Sequence, residues 1–476
     1  MNNILKKAVG IITAAALSLN ALAITVFGED YKKKELPDNE AISFVENMGA
    51  GWNLGNAFDA CSENNLPNEM DFEKYWCGAF TTKELIKKVA SSGFKTIRIP
   101  VSWHNHVDKD FNISEKWMNR VKEVVDWSLD EGLYVIINIH HDVMKGYYYP
   151  DTKNYKTSEK YIKSIWSQLC KVFKDYDEKL VFETINEPRL TGTNFEWWYT
   201  FWNPEKEVID ALECINKLNQ AAVDTIRSCG GKNANRYIMI PGYDTDGGEK
   251  GALSKYFKMP EDSVKNRLIL SAHVYSISPR DYTKTLDGLF DTFVSNGIPV
   301  SITEYGLNSN GYNYRKNGDS AVKRMGDTAA YARSLGISLV VWDNNYDGEK
   351  GFRLIDRASA KVSYPEIVKA LVENGTLKGS SSQKNGIPEV TVKTGKTSSG
   401  KNTATLSWNK VDGATKYRVY KYSNGKYSLV KKSLTKTSLK LSGLKSGKTY
   451  KYLVLAYVDG KWTKRSVKNL VTVKIK

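Results

Sequence analysis

Four times in this chain a helical pattern runs into a glycine and a short apolar strand begins at once. The stretches are SSGFKTIRIP at Gly93, DEGLYVIINIHH at Gly132, SNGIPVSITEYG at Gly297 and SLGISLVVWDN at Gly336. A glycine just past a helix supplies a left-handed cap at low cost, so each marks a helix end. The strands that follow are near-continuous β-branched runs, as in a parallel sheet buried on both faces. Eight strands are expected in all: GAGWNLGN, KTIRIPVS, YVIINIHH, LVFETINEP, RYIMIPGY, LILSAHVYS, PVSITEYG and SLVVWDN. The segments between them carry apolar residues three and four apart. In TTKELIKKVASSG, Thr81 and Glu84 have capping-box spacing, and Leu85, Val89 and Ala90 share a face. In SEKWMNRVKEVVDWSLDEG, Trp117, Val121, Val124 and Val125 do the same. Alternating β and α units over about 300 residues predict an α/β fold, a (β/α)8 TIM barrel, spanning 35–374. A doubly wound open sheet needs a Gly-rich phosphate turn after its first strand, and GWNLGN lacks that fingerprint.

After YPEIVKALVENG the texture changes. Residues 375–386 are polar and rich in Gly and Ser, the composition of a linker. From 387 to 476, TATLSWNKV, KYRVYKYS, YSLVKKS, TSLKLSG, TYKYLVLAYV and LVTVKIK alternate apolar and polar residues between turns, which predicts a small all-β sandwich domain. Trp408, Tyr417, Val419 and the stretch LKSGKTYKYLVLAYV resemble a fibronectin type III domain. In that resemblance Leu444 and Tyr450 take the places of the packing leucine and the corner tyrosine.

The net charge of +16 is more than accounted for by this end of the chain: 22 Lys and Arg against 3 Asp and Glu from Ser380 onward, but 47 against 50 before it. The basic residues spread evenly through the strands, which favours a solvated surface; an anionic cell-wall polymer or a polysaccharide are the other partners such a surface suits. At the other end, Lys6 and Lys7 precede a short apolar run and Ala21-Leu22-Ala23, the pattern of a signal peptide over 1–28 with cleavage near 23–28. A secreted, extracellular protein is expected, a monomer with no membrane span and no nucleic-acid partner. Five cysteines, Cys61, Cys77, Cys170, Cys214 and Cys229, match no metal spacing. Cys61 and Cys77 lie in one loop-like segment and are the pair open to a disulfide; Cys170 falls in a helical pattern and is expected buried.

Reacting groups of such barrels sit at the C-terminal strand ends. Those ends carry Trp52, Asn53 and Asn56; Arg98; His140, His141 and Asp142; Asn186 and Glu187; Tyr243; His273 and Tyr275; Glu304 and Tyr305; and Trp342, Asp343 and Asn344. No Ser or Cys nucleophile elbow and no Schiff-base lysine is among them. Neighbouring strand residues point to opposite faces, so His140 and His141 are not expected to share a metal ion, and no cofactor is implied. Glu187 and Glu304 end strands four and seven, whose ends face each other across the barrel mouth. Two carboxylates across an aromatic-lined cleft suit glycoside hydrolysis. The aromatic run EWWYTFW follows strand four, and Trp197, Trp198 or Trp202 is expected to wall the cleft.

GWNLGNAFDA, IRIPVSW, INIHHD, ETINEPR, AHVYS, TEYG and VVWDN resemble, in order, the motifs of glycoside hydrolase family 5, and most of all its bacterial endo-β-1,4-glucanases. The resemblance spans residues 40 to 372. The one departure is EYG where that family has EFG. It implies a retaining mechanism, with Glu187 as general acid and base and Glu304 as nucleophile. It implies Arg98 beside Glu304, its positive charge favouring the carboxylate. It further implies Asn186 on the sugar 2-hydroxyl, His140, His273 and Tyr275 positioning sugar and nucleophile, and Trp342 as a stacking floor whose bond to Asp343 is often cis. Trp52 and Asn53 are grouped with these as supporting residues. The implied substrate is a β-glucan polysaccharide, cellulose-like or mixed-linkage. A xyloglucanase or β-mannanase, or a non-catalytic polysaccharide-binding barrel, are the alternatives.

The stretch FETINEPRL holds a second glutamate. Alternation puts Glu183 on the face of Glu187 but deeper, where a buried carboxylate needs an arginine or histidine partner. The same alternation turns Asn186 away from the cleft, so the chain is expected to leave strand geometry there, with Pro188 ending the ladder.

Overall fold

The computed structural model describes residues 31–275, 279–307, 314–348, 351–377, 390–396, 402–408, 411, 414–458, 461–463 and 470–475. The expected signal peptide and most of the expected linker lie outside these residues.

Eight parallel strands close into a barrel in sequence order: β1 (Ala50–Asn53), β2 (Thr96–Ile99), β3 (Tyr134–Asn138), β4 (Leu180–Glu183), β5 (Ile238–Asp246), β6 (Leu268–Val274), β7 (Val300–Tyr305) and β8 (Ser338–Val341). The seam closes where β1 pairs with β8, Gly51 opposite Val340. Helices α1 (Glu40–Met48), α2 (Phe72–Tyr75), α3 (Lys83–Ser91), α4 (Glu115–Asp130), α5 (Tyr155–Val172), α6 (Lys206–Ser228), α7 (Pro279–Thr292), α8 (Tyr314–Ser334) and α9 (Pro365–Gly375) run between and beside them. None among the described residues is long and apolar enough to cross a membrane. Gly93, Gly132, Gly297 and Gly336 all have positive φ, from 71° to 101°, so the glycine punctuation sits where the sequence puts it. The start of α3 differs by one residue. Its cap is Thr82, whose side chain accepts the Leu85 N–H, so Thr81 and Glu84 form no capping box.

Strand alternation divides the barrel residues into two sets. Outward residues such as Ile97, Val135, Ile137, Phe182 and Ile240 pack in the core shared with the surrounding helices. Inward residues form two layers. Ile136, Val181, Met239, Ile269 and Val340 fill the lower one and are plugged from below by Phe44, Val45 and Met48 of α1. The upper layer is polar and buried: Asn53, Arg98, Asn138, Glu183, Ser271 and Thr303. A buried polar layer is costly unless its groups pair with one another. These do, and they form the base of the site.

The tail strands β9 (Val390–Lys396), β10 (Asn402–Trp408), β11 (Ala414–Ser423), β12 (Lys426–Leu434), β13 (Ser438–Leu444), β14 (Thr449–Val458), β15 (Lys461–Trp462) and β16 (Val471–Lys474) form two antiparallel sheets. One has the order β13-β10-β9; the other is β12-β11-β14 with β15 and β16 both pairing β14. Residues of both sheets, among them Leu406, Trp408, Tyr417, Val419, Val454 and Val473, share one core. This is the expected small β-sandwich. All five cysteines are free thiols, so Cys61 and Cys77 are not paired; Cys77 is buried and its Sγ bonds the Glu73 and Ala79 carbonyls instead. Cys170 is buried in α5 as expected.

Candidate active site

Arg98, at 0% exposure, organises the upper layer. Nε donates to Glu183 Oε2 at 2.8 Å, Nη1 to Asn53 Oδ1 at 3.0 Å and Glu304 Oε1 at 2.6 Å, and Nη2 to Asn186 Oδ1 at 2.7 Å. Burial opposes the cation, but Glu183 and Glu304 outweigh it and hold its pKa above the ordinary arginine value. Glu183 has the arginine partner expected of it. It also accepts from Asn138 at 2.8 Å and Ser271 at 2.6 Å, and Arg98 lowers its pKa against the effect of burial. Asn53 does not face the cleft. Its amide nitrogen donates to the carbonyls of Thr303, Val340 and Val341, which aims its oxygen at Arg98.

Glu304 faces inward because β7 is bulged. Ala272 pairs with Ile302 and His273 with Glu304, leaving Thr303 as the extra residue. Bulges re-aim side chains in this way beside active sites. Its two oxygens then meet different donors, Arg98 Nη1 on Oε1 and the Tyr275 hydroxyl on Oε2 at 2.7 Å. His273 Nδ1 stands 2.9 Å from Glu187 Oε1 and 3.7 Å from Glu304 Oε2. Burial works against an imidazolium, but Glu304 and the hydrogen bond to Glu187 outweigh it, and the His273 pKa is raised. Glu187 shifts the other way. Burial would raise its pKa, but His273 and Arg189 bring it down to about 2. Both shifts favour the charged forms of this pair, with the proton on the imidazole side.

The segment carrying Asn186 and Glu187 leaves the strand early: β4 ends at Glu183. The far end of β5 holds it in place. Asp244 and Thr245 are both left-handed, with φ of 53° and 49°. From there the Asp244 N–H donates to the Pro188 carbonyl at 2.8 Å, and the Thr245 hydroxyl to that of Asn186.

Trp342 is half-buried and lies parallel to the His140 ring, 6.0 Å between centroids. A Cβ on Gly55 would stand 2.7 Å from the Trp342 ring, so this glycine is required for the indole to lie there. Trp52 is not at the cleft. Asn53 points inward, so its neighbour points outward, and Trp52 is fully buried in the helix-packed core. Its Nε1 donates to Asp343 Oδ2 at 2.9 Å, which also accepts the Leu354 and Ile355 N–H groups. Trp52 thus supports the loop that carries Trp342. No cis peptide bond occurs among the described residues, so the Trp342–Asp343 bond is trans.

Two triplets of donor atoms lie within 4.8 Å of one another, Asp59–His140–His141 and Glu187–His273–Glu304. The first corrects an expectation: His140 and His141 do not face apart. Their Nε2 atoms stand 4.0 and 3.9 Å from Asp59 Oδ2, because β3 ends at Asn138 and alternation ends with it. Asp59 is fully buried, and burial, with Glu304 adding to it, raises its pKa to about 7.

Asp59, Asn138 and Arg189 were not singled out by sequence reasoning. Arg189 directly follows NEP, a signal that was in view. Its Nη1 lies 3.3 Å from Glu187 Oε2, and the Trp197 ring lies 4.0 Å from its guanidinium. Trp197, Trp198 and Trp202 are all exposed, and Trp197 is the one tied to Glu187 through this arginine.

The cellulase family model (glycosyl hydrolase family 5) matches residues 57–348. Endoglucanase A of Clostridium longisporum is 35% identical over 401 residues, covering 78% of this chain and 72% of its own length. The structure of a family 5 lichenase from a Caldicellulosiruptor species superposes with a TM-score of 0.69 at 45% identity, over 72% of this chain and 98% of that one. The complex of a mutant of that lichenase with cellotetraose gives 0.68 and 44% over the same shares. A barrel with this polar layer, and a family match over more than half its length, has one assignment: the chain belongs to glycosyl hydrolase family 5, the cellulase family.

Proposed function

We propose that this glycoside hydrolase is a secreted, retaining endo-β-1,4-glucanase that cuts internal linkages of cellulose-like or mixed-linkage glucans by double displacement. One observation carries the reading: oxygens of Glu187 and Glu304 come within 4.8 Å of each other. Retaining enzymes hold their carboxyls about 5 Å apart, whereas inverting ones need roughly 6.5–9.5 Å to admit a water. Relatives described as endoglucanases and a lichenase, with cellotetraose and cellotriose in two complexes, support a β-glucan substrate.

Glu304, aimed by Arg98 and Tyr275, attacks the anomeric carbon. Sugar filling the cleft removes water from the Glu187–His273 pair, and desolvation favours the uncharged partners. The proton then crosses the 2.9 Å hydrogen bond to Glu187, which delivers it to the glycosidic oxygen as that bond breaks. In the second step Glu187 takes a proton from the water that cleaves the glycosyl–Glu304 ester. The Asn186 oxygen is held by Arg98, which leaves its amide nitrogen for the sugar 2-hydroxyl. Trp342 is the floor, and Trp197, stacked on Arg189, walls the leaving-group side.

The tail reads as a fibronectin type III-like spacer from 387 onward. Tyr450, at the start of β14, accepts the Lys445 N–H at 2.9 Å, as a corner tyrosine does. Secretion rests on the N-terminal pattern alone.

Reducing-end release from carboxymethyl cellulose, mixed-linkage glucan, xyloglucan, mannan and xylan tests the whole reading, with Glu304→Gln as control. Turnover on the first two, abolished in the variant while oligosaccharide binding survives, is expected. Release from none of the five would leave a sugar-binding barrel. Preference for xyloglucan or mannan would move the substrate but keep the mechanism.

A further inference from the structure

Asn138 closes β3 and is fully buried in the polar layer. Two neighbours fix which way its amide points. The Val101 N–H can only donate, and it lies 3.1 Å from Oδ1. The Glu183 carboxylate, held ionised by Arg98, can only accept, and it lies 2.8 Å from Nδ2. Oxygen and nitrogen are therefore assigned by chemistry. The second N–H of Nδ2 is left for His140 Nδ1 at 3.1 Å.

That nitrogen must then offer a lone pair. Burial first, and His141 and Arg98 with it, keep the His140 ring neutral, so its single proton lies on Nε2. Nε2 stands 3.9 Å from Glu304 Oε1 and 4.0 Å from Asp59 Oδ2, beyond hydrogen-bond reach of either. The N–H is thus open to a ligand oxygen placed between them, beside the Trp342 floor.

We propose that Asn138 is a positioning residue that locks His140 as an Nε2–H donor to a hydroxyl of the sugar bound beside Glu304. The proposal rests on the glucanase reading for the identity of that ligand, but not for the tautomer. One buried carboxylate then anchors two functions. Glu183 holds Arg98, which aims Glu304, and it holds Asn138, which sets His140. The lock also takes His140 out of the Asp59–His140–His141 triplet as a metal ligand, because a cation there meets an N–H.

The test is the imidazole nitrogen spectrum of the 15N-labelled full chain, with His140 assigned by comparison with His140→Gln. Wild type is expected to show a pyridine-type Nδ1 and a pyrrole-type Nε2. Asn138→Asp, which accepts where the amide donates, is expected to reverse the two. It should also lower kcat/KM on mixed-linkage glucan roughly tenfold, the worth of one hydrogen bond to the sugar. Should the added carboxylate beside Glu183 prevent folding, Asn138→Ala serves, with a mixture of tautomers expected. A wild-type ring protonated at Nδ1 overturns the lock, as does Asn138→Asp with unchanged tautomer and rate. Hydrolysis of glucan with the wrong tautomer sinks this proposal alone; the right tautomer with no hydrolysis of any polysaccharide sinks the glucanase reading alone.

Discussion

Arg98 divides its nitrogens among Glu183, Glu304, Asn53 and Asn186, so four polar side chains of the barrel are aimed through one buried cation. Its strand-end position was legible in the sequence, and its place beside Glu304 was implied by the family resemblance. Glu187 and the buried role of Glu183 were legible too. Asn138 was not, because an asparagine inside an apolar strand carries no local mark of the histidine it sets. Two predictions belong at this scale. Glu187→Gln should leave the first step on aryl glycosides with activated leaving groups nearly intact while stopping hydrolysis of glucan, since such groups need little protonation. Equal loss on both substrates, read from the burst of released phenol, would deny Glu187 the acid role. The second concerns pH. His273 has its pKa raised above 6.5, so its stabilising contact is complete below 6.5 and is lost as pH climbs through the raised value. Glu187 is lowered from 4.5 to about 2, so its share is present above 4.5 and is lost as pH falls toward 2. The contribution of this pair, read as the difference in urea-unfolding free energy between wild type and His273→Gln, should therefore be level between 4.5 and 6.5 and decline on both sides.

At the scale of elements, glycine and β-branched runs reported helix ends and strands faithfully, since both act within a few residues of chain. Gly132 offers a clean check. Its φ is +82° and only the tip of Lys179 comes as near as 4.0 Å to a built Cβ, so Gly132→Ala meets strain without a clash. A loss of about 1–2 kcal/mol in unfolding free energy is expected from the left-handed backbone alone. No loss would mean that the helix end relaxes instead. Strict alternation was the rule that failed. It missed the Thr303 bulge that turns Glu304 inward, and it wrongly sent His140 and His141 to opposite faces beyond the end of β3. It would have removed Trp52 from the site had it been applied there, because Asn53 next to it is the inward residue.

For the whole molecule, barrel and sandwich differ in charge as sharply as in structure, with the basic excess confined to the tail. The solved lichenase covers 72% of this chain and is itself matched over 98% of its length, so a chain of barrel size folds in this family. Deleting residues 381–476 should leave kcat/KM on soluble glucan within about twofold, as expected when no catalytic group is removed. A tenfold fall would place the sandwich within the active unit. Helix ends, strand count and the strand-end places of Glu187 and Glu304 follow from patterns a few residues wide, because propensity acts locally. Which donor each carboxylate meets does not. Arg98 and Glu304 are 206 residues apart, and the hydrogen bond between them exists only once the barrel closes and β7 bulges. Long-range closure, acting through buried groups that cannot be left unpaired, chose the partners and with them the proton positions on which the chemistry depends.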